Sequence, residues 1–252
     1  MWRCGSAADC FANCRTPLSC LMTFTKESAH QQIKALVKVQ SGLHIDAECE
    51  TQVELTGEIY VNCTSKGFVL SDSYPVLIVI PLDSDKLPYV IDTGNRIADD
   101  YPHRYKNGEL CLETDASIRI RFLDGFSLVA WIQEFVEPYY FSYEFFQRYG
   151  EFPFGERGHG LQGIMETYQE LFQEKDPVKA LALMKSICEC SYRGHLLCPC
   201  GSNQKLRLCH GPIVMKYYTD NRLKKIVQTD YKIMKDYLVN YYEQLRYRRK
   251  TK

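Results

Sequence analysis

The sequence lacks a long hydrophobic run, a net charge and any stretch of low complexity. Its longest apolar segment, residues 74–82, is about half as long as a bilayer-spanning helix requires. Lys and Arg total 31, as do Asp and Glu, so no global field attracts the chain to nucleic acid or to a membrane. The first residues contain no continuous apolar core of a signal peptide. These absences predict a soluble, cytoplasmic protein without a membrane partner.

Cysteine, in contrast, is abundant. Twelve cysteines in 252 residues are fewer than a small disulfide scaffold contains but many for a protein of a reducing compartment. In such a compartment, clustered cysteines indicate metal binding or catalysis. The spacing of the cysteines therefore has to decide their role.

Four segments differ in their residue pattern. Residues 1–21 hold four cysteines without the paired spacing of zinc sites. They could form a small metal or redox appendage. The interpretation we favour is that they result from translation from an upstream start, with Met22 as the natural initiator. The main domain is expected over 22–175. A cysteine-rich module with its lead-in helix follows over 176–212, and a basic amphipathic helical tail over 213–252.

The pattern of the main domain predicts an α+β fold. Apolar residues at helical spacing predict a first helix over 25–40. Strand-like runs over 51–62, 74–82 and 87–92 predict an antiparallel meander. Residues 95–115 are irregular and polar, and a loop of this length inside a compact domain is more often functional than not.

Helices are predicted for the rest of the main domain. An aromatic segment over 123–149 is helical in pattern, and Pro138 is expected to kink or break it. A glycine-rich turn at 155–160 precedes a further helix over 161–173.

The cysteine-rich module predicts a structural zinc site. Tetrahedral Zn²⁺ binds sets of thiolates and imidazoles, and when protein fills all four positions the site is structural. The spacing resembles the SEC-C motif found near the C-termini of many bacterial proteins. The predicted ligands are Cys198, Cys200, Cys209 and His210. A rival set replaces the last two with Cys188 and Cys190.

Cys111 stands apart from the other cysteines, just after the irregular loop. It lies in the segment 103–112, which reads His-Arg-Tyr-Lys-Asn-Gly-Glu-Leu-Cys-Leu. This segment resembles the active-site loop of ubiquitin-conjugating enzymes, and more closely that of their bacterial relatives, which also carry a Gly-Glu-Arg-x-His-Gly turn like that at 155–160. The resemblance spans roughly 22–172. It implies a ubiquitin-conjugating-like fold: an N-terminal helix, an antiparallel meander and C-terminal helices.

The resemblance also implies an activity. Cys111 would accept the C-terminal carboxyl of a protein as a thioester and transfer it to an amine of a target protein. The donor would be a ubiquitin-like protein or a signalling nucleotidyltransferase, with or without an activating enzyme, in a bacterial antiviral system. Asn107 is the predicted oxyanion donor. His103 would organise the loop or act as a base, and His159 could approach the thiol or only pack.

Two alternatives remain open at this stage. The family's His-Pro-Asn tripeptide reads His-Arg-Tyr at 103–105, which favours a non-catalytic adaptor in which the zinc module recruits a partner. The tail over 213–252 has eleven basic against four acidic residues, which favours a nucleic-acid-binding protein.

Overall fold

The computed structural model describes residues 23–250, with the backbone alone for 239–250. The predicted extension, 1–21, lies outside the described residues. Within them, no helix is long and apolar enough to cross a membrane.

The first part of the chain is a helix followed by an antiparallel sheet. Helix α1 spans Lys26–Val39 and begins after Thr25, whose hydroxyl accepts a hydrogen bond from the backbone N–H of Ser28. The sheet has four neighbouring strands in chain order, β1 to β4. Their bounds are Leu43–Glu48, Gln52–Ser65, Phe68–Pro81 and Tyr89–Asp92. The predicted α+β class and the meander are confirmed.

The sheet is larger than the sequence predicts, because β1 was missed. Apolar and polar residues do alternate in β1, but the run is only six residues long and Leu43 alone is buried, so it carries a weak signal of a half-buried strand. Strands β2 and β3 are longer than the predicted runs and join through Lys66 and Gly67, both at positive φ.

Two helical segments follow the loop after β4. Helix α2, Asp115–Arg121, was not predicted. Helix α3, Leu128–Trp131, continues through a π turn, Ile132–Val136, into α4, Glu137–Tyr149. A kink or a break was predicted at Pro138, and the helix does not break there. Since proline has no N–H to donate to the preceding turn, the wider π turn carries the helix past it.

Four further helices complete the described chain: α5 (Leu161–Phe172), α6 (Pro177–Glu189), α7 (Gly211–Thr219) and α8 (Asn221–Lys250). The tail is therefore two helices, separated at Asp220, whose backbone is extended.

Buried side chains form two hydrophobic clusters. The first lies between the sheet and helices α1, α3 and α4, and the second joins α5 to α8 with the segment between α6 and α7. Helix α2 belongs to both, since Ile118 faces the first cluster and Ala116 the second. The sequence assigns α5 to the predicted domain 22–175, whereas its buried side chains pack in the second cluster.

Strand β2 requires glycine where it passes the start of β1. Gly57 has a φ of +127°, and a Cβ added there would lie 2.0 Å from the carbonyl oxygen of Gly42. Gly67 has a φ of +75° and open space around it. We expect Gly57→Ala to lower the free energy of unfolding by about 3 kcal/mol or more, and Gly67→Ala by about 1 to 2 kcal/mol. Urea denaturation followed by circular dichroism measures both, and equal losses would contradict the steric account.

Candidate functional site

The backbone around Cys111 is fixed by hydrogen bonds to both neighbouring elements. The N–H of Leu110 donates to the carbonyl of Val90 in β4 at 2.9 Å, and the N–H of Cys111 donates to the carbonyl of His103 at 2.8 Å. The same His103 carbonyl accepts a bond from the Tyr139 hydroxyl of α4 at 2.9 Å. The loop is therefore held to both the sheet and a helix, which positions the half-buried thiol.

Two histidines lie beside this thiol. The ring centroids of His103 and His159 are 4.2 Å apart. The Cys111 Sγ and one nitrogen of each ring all lie within 4.8 Å of one another. The turn that carries His159 is held by the Glu166 carboxylate, which accepts from the N–H of Gly158 at 2.7 Å. The structure thus brings His159 to the thiol, whereas the sequence left open whether this side chain approaches the thiol or only packs.

Burial sets the protonation of this group. Burial raises the pKa of Cys111, and the carboxylates of Glu113 and Asp115 raise it further, while a hydrogen bond from the Tyr105 hydroxyl acts in the opposite direction. Burial and the neighbouring histidine lower the pKa of His103 to about 4. At neutral pH a thiol therefore faces a neutral imidazole, which is a weak base because its pKa is low.

The thiol lines a cavity of about 480 Å³ between α2, the glycine-rich turn and α8. Its wall includes Ile226, Thr229 and Asp230 of α8. Asp230 is buried, accepts a hydrogen bond from the Tyr168 hydroxyl at 2.9 Å, and has its pKa raised to about 6 by burial. The second hydrophobic cluster therefore supplies one side of the site around Cys111.

Asn107 lies outside this cavity wall. Its side-chain oxygen accepts a hydrogen bond from the N–H of Glu109 at 3.2 Å, which closes a turn around Gly108, a residue at positive φ. The structure gives Asn107 a role in shaping the loop, and the oxyanion role stays a prediction.

The second group of functional side chains is the predicted cysteine-histidine cluster. The His210 Nδ1 lies 3.4 Å from the Cys198 Sγ and 3.2 Å from the Cys209 Sγ, and the sulfurs of Cys200 and Cys209 are 3.6 Å apart. All four ligand atoms lie within 4.8 Å of one another, an arrangement that could hold a metal ion. Gly201, at a φ of +78°, turns the chain between the two pairs.

Glu174 orients the histidine of this cluster. Its carboxylate oxygen lies 3.4 Å from the His210 Nε2, opposite the nitrogen that faces the thiols. Metal-bound histidines usually donate their other ring N–H to such a partner, which fixes the tautomer. Glu174 follows α5 in the chain, so no local spacing in the sequence could predict this contact.

The rival ligands are elsewhere. Cys188 lies at the end of α6, Cys190 directly follows that helix, and neither belongs to a metal-compatible group of the described chain. The eight cysteines within residues 23–250 form no disulfide with one another.

Comparisons with known proteins agree with the assignment of the second group. Residues 196–212 match the SEC-C motif, and this segment contains all four members of the cluster. No curated protein matches the chain, and no solved structure matches it. The SEC-C prediction is confirmed, whereas the resemblance to ubiquitin-conjugating enzymes stays a hypothesis.

The reactivity of Cys111 follows from its pKa. We expect iodoacetamide to alkylate Cys111 more slowly than Cys49 near pH 7, because burial raises the pKa of Cys111 while a hydrogen bond from Thr51 lowers that of exposed Cys49. As the pH rises, alkylation of Cys111 should keep accelerating after that of Cys49 has levelled off. Peptide mass spectrometry over a pH series measures both rates. A Cys111 rate that is already constant near neutrality would contradict the protonation described above.

The role of Glu174 can be tested on metal affinity. We expect Glu174→Ala to weaken metal binding at the cluster about 10- to 100-fold, as loss of an outer partner of a metal-bound histidine does. The matched control is Glu170→Ala, because Glu170 also belongs to the α5 region but contacts Arg157. Competition with a coloured chelator gives both affinities. Equal affinities in the two variants would show that Glu174 does not orient His210.

Proposed function

We propose that the protein is a cysteine-dependent acyl carrier. Cys111 accepts the C-terminal carboxyl of a donor protein as a thioester and passes it to an amine of a target. The observation that carries the proposal is the thiol in a cavity, with a neutral imidazole of His103 and the ring of His159 within reach.

The order of elements supports the same proposal. A helix, then four antiparallel strands in chain order, then a cysteine loop and further helices agree with what the resemblance to ubiquitin-conjugating enzymes implies. By that resemblance, the donor is a ubiquitin-like protein or a signalling nucleotidyltransferase, and the setting is bacterial antiviral defence. The donor's C-terminal residues would enter the cavity beside α8.

The chemistry balances without a cofactor. The Cys111 sulfur attacks the carbonyl carbon of an activated donor, such as a thioester on an activating enzyme, and gives up its proton as the new bond forms. The carbon–sulfur bond to Cys111 forms, the bond to the leaving group breaks, and the leaving group takes the proton. An amine of the target then attacks the same carbon and releases the Cys111 thiol. Exchange between thioesters is nearly isoenergetic, so positioning is the main task of the site.

We also propose that the ion of the cysteine-histidine cluster is zinc, in a structural role. A tetrahedral Zn²⁺, with bonds of about 2.3 Å to sulfur and about 2.0 Å to nitrogen, separates its ligand atoms by roughly 3.4 to 3.8 Å. Three of the six separations within the cluster, at 3.2 to 3.6 Å, are close to these values. Since protein supplies all four ligands, the ion would hold the start of α7 against the segment before it.

The adaptor hypothesis remains as a second candidate, because one observation favours it. The carboxamide of Asn107 is engaged in its own turn, and the His-Pro-Asn tripeptide of the conjugating enzymes is absent from this loop. An adaptor would need the zinc module and the fold but not the thiol.

Intact mass spectrometry separates the two candidates. The protein is co-expressed with the products of its neighbouring genes and measured with and without added thiol. We expect an adduct on the wild type that thiol removes, and an oxyester on Cys111→Ser that thiol leaves intact. Cys49→Ser is the matched control and should behave as the wild type.

The adaptor predicts the opposite pattern. No adduct forms, Cys111→Ala keeps biological activity, and Cys198→Ser loses it because the metal site no longer folds. That pattern would contradict the acyl-carrier proposal.

A further inference from the structure

The group around Cys111 has the composition of a second metal site. One sulfur and two imidazole nitrogens lie within 4.8 Å of one another, contributed by Cys111, His103 and His159. Ligand atoms around a tetrahedral zinc are roughly 3.4 to 3.8 Å apart. The His159 side chain is exposed, so its ring has room to move toward that spacing.

The number of ligands distinguishes this group from the SEC-C cluster. Three protein ligands leave a fourth position for water or another small ligand, which is typical of open zinc sites, whereas four ligands close a structural one. Two of the three residues, Cys111 and His103, line the cavity of about 480 Å³. An ion bound to the three residues would therefore be accessible and exchangeable.

Charges of both signs surround the thiol and offset one another. Arg119 pairs with Asp115 at 3.7 Å, Arg157 with Glu113 at 3.2 Å and Lys225 with Asp85 at 3.6 Å. All of these side chains line the same cavity as Cys111. Because each basic side chain is paired with a carboxylate, the three add little repulsion toward a cation.

As metal ligands, the two histidines differ in how firmly the fold holds them. The His103 ring packs edge-on against Phe152, at 5.3 Å between centroids, and its backbone carbonyl is held by Tyr139 and Cys111. It is therefore a fixed ligand. His159 lies on the glycine-rich turn and supplies a ligand that can approach or leave.

We propose that Cys111, His103 and His159 bind a zinc ion reversibly, with the fourth position open to the cavity. Binding forms a bond from zinc to the Cys111 sulfur, and the thiol proton is released to solvent. The sulfur lone pair that would attack a carbonyl is then engaged, so zinc blocks acylation. This consequence rests on the proposed function, whereas the metal site itself does not.

Cobalt is the probe, because a cobalt–thiolate bond gives a charge-transfer absorption that a cobalt–imidazole bond does not. The full chain is loaded with zinc and dialysed against a mild chelator, so that the four-ligand cluster stays filled while a three-ligand site empties. Titration with Co²⁺ then reports the second site. The variants are Cys111→Ser and His159→Ala, and the matched controls are Cys49→Ser and His44→Ala, an exposed cysteine and an exposed histidine outside both groups.

We expect the wild type and both controls to bind one more cobalt ion per chain than Cys111→Ser, which should lack the added charge-transfer band. His159→Ala should bind cobalt more than about 10-fold more weakly than His44→Ala. Removing an outer partner of a metal ligand already lowers metal affinity at least about 10-fold, and removing the ligand itself should lower it more. Zinc should also slow alkylation of Cys111 but not of Cys49.

Equal cobalt binding by the wild type and Cys111→Ser would overturn the proposal, as would equal affinities of His159→Ala and His44→Ala. No acyl donor is present in the titration. A negative cobalt titration therefore does not contradict the thioester proposal, and a missing acyl adduct does not contradict the proposed metal site.

Discussion

The packing of α8 against α2 joins the two hydrophobic cores of the chain. Ile226 of α8 is buried in the second cluster and also lines the cavity of Cys111, while Ala116 of α2 does the same from the other side. The buried bond between Asp230 and Tyr168 ties α8 to α5 as well. Since Cys198 and Cys200 lie in the same cluster, the metal-binding module is part of the structure that encloses the thiol rather than a separate appendage.

This enclosure explains the chemistry that the thiol can perform. A thiolate stabilised by a cationic neighbour would react with many electrophiles, whereas a desolvated thiol beside a neutral imidazole needs a carbonyl placed correctly before the proton moves. Acyl exchange with a bound protein partner meets that condition. The same desolvated side chains also suit a metal ion. An acyl group and a zinc ion would therefore compete for the Cys111 sulfur in the two proposals.

The sequence predicted the features that depend on local spacing. The cluster was identified from the pair Cys198 and Cys200, two residues apart, and from the adjacent Cys209 and His210. Helical periodicity located α1. Strand β1 was missed although its apolar and polar residues alternate, because the run is short and only Leu43 is buried. A proline in a helical pattern predicts a kink or a break, and the sequence alone did not show that a π turn would carry the helix past Pro138. Contacts across the chain, such as Glu174 with His210 and His159 with Cys111, depend on the tertiary fold and so could not be read from spacing.

The segment that carries the cysteine-histidine cluster packs in the same hydrophobic cluster as α8, which forms one wall of the Cys111 cavity. Hydrogen exchange of the Cys200→Ser variant tests this link. Loss of the metal should raise amide exchange in α7 and the first turns of α8, and also in α2 and the segment 103–111, because α8 forms one wall of the cavity. Faster exchange confined to α7 and α8, with α2 and the cysteine loop unchanged, would contradict the account.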